Sequence, residues 1–92
     1  MITLKKIDEV VMSYFRLPET IAKKTKRERY VLARYAFYGV CAGVGFETKN
    51  IIDYWNIDRT TIYNVVKRIN DLYDTSSIFK FQVNEIKKRI GA

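Results

Sequence analysis

The chain has 92 residues, 48% of them hydrophobic, and it carries seven Tyr, five Phe and one Trp, so a single domain can pack an interior without disulfides or metal clips. Seventeen Lys and Arg against ten Asp and Glu leave a formal charge of +7, a surplus that attracts polyanions, nucleic acid first among them. With no histidine and one cysteine, Ser-His-Asp and Cys-His centres, imidazole metal sites and intramolecular disulfides are excluded; the expectation is a cytoplasmic non-enzyme with neither cofactor nor metal.

From the N-terminus, Leu4, Ile7, Val10, Val11 and Tyr14 recur at three- and four-residue steps, which predicts an amphipathic helix capped by Thr3. Pro18 disfavours helical geometry at Leu17, so the helix should end near Phe15 and Arg16; the same proline can open a short second helix, PETIAKK, that brings Ile21 to the core. The run KKTKRER, residues 23 to 29, holds five basic side chains and one acid and reads as an exposed loop.

A long helix is predicted from about Glu28 to Ala42, with Val31, Ala33, Ala36, Phe37, Val40 and Val44 around most of its circumference, as suits a central, largely buried helix. Cys41 lies on this apolar stretch and is expected to be core packing, not a nucleophile. Gly43 and Gly45 are expected to end the helix in left-handed geometry. AGVGF lacks the following Lys and Ser or Thr of a phosphate-binding loop.

Thr48 is expected to cap TKNIIDYW and Asp58 to cap RTTIYNVVKRINDLYD, with only Asn56 and Ile57 between them. On the second of these helices Ile62, Val65, Val66, Ile69, Leu72 and Tyr73 should face inward and Thr60, Tyr63, Asn64 and Lys67 outward. After a break at residues 75 to 77, a last helix should bury Phe79, Val83, Ile86 and Ile90. No apolar run is long enough to cross a membrane, and MITLKKIDEV lacks the hydrophobic stretch of a signal peptide, so neither a membrane partner nor export is expected. The fold class is therefore all-α: one compact domain of five to six helices.

Residues 48 to 69 form the most informative stretch. Ile51, Trp55, Ile57, Ile62 and Val66 can hold two helices against one core, and Asn56 stands where a sharp turn needs positive φ. Arg59, Thr60 and Thr61 then project from a helix N-terminus, where the backbone already favours phosphate. This is the pattern of a helix-turn-helix, whose second helix enters the major groove while the first crosses the backbone.

From the helix ending VMSYFRL, through KKTKRERYVLAR, to DRTTIYNVVKRINDL, the chain resembles the C-terminal DNA-binding domain of the bacterial replication initiator DnaA, in the Trp-repressor-like helix-turn-helix group. The resemblance implies that Asp58, Thr60 and Thr61 match the aspartate and paired threonines of the family's Arg-Asp-His-Thr-Thr-Val signature, which reads the major groove. It implies also that Lys26, Arg27 or Arg29 carries the basic loop's contact to phosphates and minor groove. Arg59 stands where the family has histidine, Ile57 replaces the arginine before the aspartate, and the corner is about one residue shorter. A free-standing domain of this kind fits an accessory replication factor, or a regulator of phage or mobile-element origin.

The expected partner is double-stranded DNA, with a replication or regulatory protein as a further one. Arg59 is the main candidate for base reading, since a guanidinium can pair with O6 and N7 of guanine; a phosphate contact or an intrahelical partner is its rival role. Thr60 and Asn64 can touch bases, Thr61 a phosphate or its own helix, and Tyr63 and Lys67 the backbone. Lys23, Lys24, Lys26, Arg27 and Arg29 are expected on DNA, joined by Arg34 from the N-terminal end of the long helix. The basic Lys87, Lys88 and Arg89 suit a helix C-terminus. The alternatives are a dimeric transcriptional repressor and a protein-interaction module presenting Tyr63, Tyr35 or Tyr38; the oligomeric state is left open.

Overall fold

The computed structural model describes residues 2–18 and 28–91. Thr3, in extended conformation, starts α1 (Leu4–Phe15) by accepting a 3.1 Å hydrogen bond from the Lys6 amide, the arrangement that satisfies one of a helix's unpaired N-terminal donors. The other end is set by Arg16, in left-handed conformation at φ 57°: its amide bonds back to Ser13, and the Leu17 amide donates to the Met12 carbonyl at 2.8 Å. Pro18 follows a helix that the backbone has already closed. Ile7, Val11 and Met12 are buried, and so, unexpectedly for its charge, is Asp8.

The expected helix at PETIAKK falls on residues 18 to 24, almost all of it outside the described residues, as do Ile21, Lys23, Lys24, Lys26 and Arg27. α2 (Glu28–Gly43) begins at Glu28, where the long helix is expected to begin, so Arg29, also counted in the basic run expected as a loop, is helical. Glu28 complements the helix dipole and Tyr30 is already buried, and the burial of that one side chain favours helix there over loop.

Helix α2 is the central element, packed against α1 and α5 and touching α3 and α4. Ala33, Ala36, Phe37, Val40 and Cys41 have no exposed surface, which accounts for its hydrophobicity on nearly all sides. Of its two expected terminating glycines, Gly43 is helical and Gly45 alone takes positive φ, +102°. A side chain at Gly43 would fall 2.5 Å from the Lys87 ammonium, so the small residue leaves space there for a lysine from α5.

Three further helices complete the bundle: α3 (Thr48–Trp55), α4 (Arg59–Thr75) and α5 (Ser77–Arg89). The residue capping α3 is Glu47, not Thr48; Thr48 is the first helical residue, and its hydroxyl lies 3.3 Å from that of Tyr38. Ser76 alone breaks the chain between α4 and α5, its Oγ accepting from the Phe79 amide at 3.2 Å. Phe79, Val83 and Ile86 are buried as expected, while Ile90 is half-buried at the helix end. Lys87, Lys88 and Arg89 occupy the last turn of α5, and Arg89 lies 4.9 Å above the Tyr14 ring.

The fold is all-α, and no strand occurs among the described residues. Extents of 31 × 29 × 26 Å and a radius of gyration of 11.9 Å match the roughly 12 Å of one globule of this length. Among the described residues no helix is long and apolar enough to cross a membrane.

Candidate nucleic-acid interface

The corner between α3 and α4 follows from three residues. Asn56 adopts φ 60°, ψ 45°, a region that non-glycine residues enter at a cost and that asparagine tolerates best, and its amide donates to the Ile52 carbonyl at 2.8 Å. Ile57 is half-buried against the core, while Asp58 is extended and accepts the first backbone bond of α4 from the Ile62 amide at 3.0 Å. Asp58 thus holds the capping position, but its carboxylate makes no capping bond, so the first-turn amides of α4 keep no side-chain partner.

Two long-range contacts orient α3. The Tyr54 hydroxyl donates to buried Asp8 Oδ2 at 2.7 Å, and the Tyr54 ring stacks on Phe37 with centroids 5.6 Å apart and planes 26° from parallel. Ile51 and Trp55 sink beside them, and on α4 the buried Ile62 and Ile69 hold the second helix down. Val65, Val66, Leu72 and Tyr73 pack half-buried around that line, on the inward face assigned to them.

The opposite surface of α4 separates into two stripes by helical phase, at about 100° per residue. Arg59 and Tyr63 lie on the stripe turned toward α3, where with the edges of the inward-facing Ile62 and Val66 and with Thr48, Lys49 and Ile52 they line a cleft of about 470 Å³. Tyr38 of α2 contributes the remaining wall, so it is a buried residue and not the exposed tyrosine expected of an interaction module; Tyr35 is half-buried. Thr60, Asn64 and Lys67 lie on the other stripe, and Asn64 and Lys67 line a shallower hollow with Arg68 and Asp71.

All six residues assigned to α4 are exposed: Arg59, Thr60, Thr61, Asn64 and Lys67, with Tyr63 at 76% the most exposed large hydrophobic residue described. The two α2 arginines stand elsewhere. Arg29 is exposed, but its guanidinium donates to the Phe15 carbonyl at 2.8 Å, tying the start of α2 to the end of α1. Arg34 is half-buried, and burial lowers its pKa from the usual value against a smaller opposing effect of Tyr35.

Two cations escaped the sequence reading. Lys49, in the first turn of α3, lines the same cleft as Arg59, and Arg68 follows Lys67 on the rim of the α4 hollow. Lys49 was legible as a lysine next to an expected cap; what sequence spacing did not reveal is that the turn brings it to the same cleft as Arg59.

Cys41 is fully buried, and burial, helped by the negative charge of Asp8, pushes its thiol up to about 12. A thiol so protonated at neutral pH is a poor nucleophile. No protein-family model, curated protein or solved structure matches the chain.

Proposed function

We propose that this protein binds double-stranded DNA sequence-selectively, laying the N-terminal half of α4 in the major groove as the second helix of a helix-turn-helix. The basic segment at residues 23 to 29 grips the backbone or minor groove beside it. The observation that carries this reading is the tight corner at Asn56, which delivers the exposed Thr60, Asn64 and Lys67 on the first turns of a helix fastened to the core behind them. The +7 charge supplies the long-range attraction, and the dimensions of a duplex major groove admit one helix of this kind, whereas A-form RNA does not.

The resemblance to the C-terminal domain of DnaA extends the reading to an accessory replication factor or regulator of phage or mobile-element type, acting on DNA in the cytoplasm. The test is selection from random duplexes followed by footprinting. Recovery of one asymmetric site supports the DnaA-like mode, an inverted repeat points to a dimeric repressor, and failure to enrich any duplex overturns the proposal.

A further inference from the structure

The cleft between α3 and α4 has a charge pattern that three other clefts among the described residues lack. Lys49 and Arg59 stand on its two sides with no acid among its lining residues, and its remaining walls include the apolar Ile52, Ile62 and Val66. By contrast, the hollow along α4 sets Asp71 beside Lys67 and Arg68, the one beside Tyr54 sets Asp8 and Glu9 beside Lys5, and the one beside Arg89 includes Glu9. Among the described residues neither Lys49 nor Arg59 has an ion-pair partner. Two unneutralised cations, one from each helix, lining a cleft with apolar walls fit an anion carried on an apolar body.

Helical phase bears on which part of a duplex would supply that anion. Arg59 shares its stripe with Tyr63, facing α3, whereas Thr60 lies about 100° further round the helix on the stripe continued by Asn64 and Lys67. A helix that turns Thr60 and Asn64 to base edges therefore turns Arg59 toward its neighbouring helix, on the side where a helix-turn-helix meets the sugar-phosphate strand. Resting on the DNA-binding reading, we propose that Arg59 is not a base reader: with Lys49 it clamps one backbone phosphodiester in the cleft, the deoxyribose lying on Ile52 and the Tyr63 ring. Base discrimination is then left to Thr60 and Asn64.

The test uses the duplex recovered by selection, the wild-type chain and the variants Lys49→Ala, Arg59→Ala, Thr60→Ala and Asn64→Ala. All four side chains are exposed, and matching circular dichroism and melting curves confirm that each variant folds. The clamp predicts that Lys49→Ala and Arg59→Ala each weaken binding evenly across base-substituted sites and that together they reduce the steepness of the log Kd against log salt plot by about 1. A single methylphosphonate, which removes one phosphate charge, should lower wild-type affinity at one position and there erase the effect of Lys49→Ala.

If Arg59→Ala relaxes preference at one base pair and leaves the salt slope unchanged, Arg59 reads a base and the clamp is wrong. Wild-type binding by Lys49→Ala overturns it equally, while altered base preference in Thr60→Ala or Asn64→Ala leaves the DNA-binding reading standing. If none of the four substitutions alters DNA affinity, both proposals fall together.

Discussion

The hydroxyl of Tyr54 donates a 2.7 Å hydrogen bond to Oδ2 of Asp8, a residue 46 positions earlier and only 4% exposed. The contact joins α3, the first arm of the candidate interface, to α1, while the same tyrosine stacks on Phe37 of α2. Three helices therefore meet on one side chain. Tyr54→Phe keeps the stacking and removes the donor from a buried carboxylate, and should cost about 1–3 kcal/mol. Urea unfolding followed by circular dichroism checks this: the midpoint falls while the slope with denaturant stays unchanged.

At Asn56 the backbone, not a contact, sets the expectation. Its φ of 60° is strained for a side chain that cannot bond locally, so Asn56→Ala should lower stability by about 1 kcal/mol. Asn56→Gly, free of the Cβ penalty, should hold or raise it. Paired thermal melts of the two variants separate this backbone effect from loss of side-chain contacts, which would weaken both alike.

Cys41 gives a pH prediction. Its thiol is pushed up to about 12 in the folded protein from an ordinary value of 9.0, so between those two pH values the unfolded chain releases a proton that the folded one keeps. The stabilisation is fully present below about pH 9 and is lost as pH rises toward 12. Denaturation midpoints of wild type and Cys41→Ala, compared from pH 8 to 11, should converge as pH rises. A constant difference would contradict the burial account, and a thiol reagent at pH 8 should label the folded chain far more slowly than the unfolded one.

The basic segment is best probed away from Arg29, whose guanidinium already serves the Phe15 carbonyl and whose loss would confound folding with binding. Reversing Lys26 and Arg27 to glutamate should weaken DNA affinity strongly and flatten its salt dependence by about 2, with the melting temperature little changed. Unaltered DNA affinity would remove that segment from the interface.

How much of this could be read from the chain depended on range. Local signals were reliable: Thr3 caps α1, Asn56 turns left-handed, and the outward residues of α4 follow from hydrophobic spacing alone. Boundaries slipped by a residue where two neighbours could serve, as with Glu47 and Thr48, and Asp58 took the capping position without the capping bond because position is set by backbone dihedrals and the bond by side-chain rotamer. Tertiary pairings were not legible: neither Asp8 under Tyr54 nor Lys49 in one cleft with Arg59 has any periodic signature. Arg29, counted both in the basic run and in the helix expected from Glu28, lies in the helix beside the buried Tyr30.

The central claim, that the exposed stripe of α4 reads duplex DNA, is tested most directly by anisotropy titrations of the selected duplex and a scrambled one between 50 and 200 mM salt. Wild type is compared with the Thr60→Ala, Asn64→Ala double variant. If about six phosphates are neutralised, log affinity should fall with log salt at a slope near −5, and the double variant should lose the preference for the selected site while retaining that slope. Equal affinity for both duplexes by the wild type, with a slope near zero, would contradict the account.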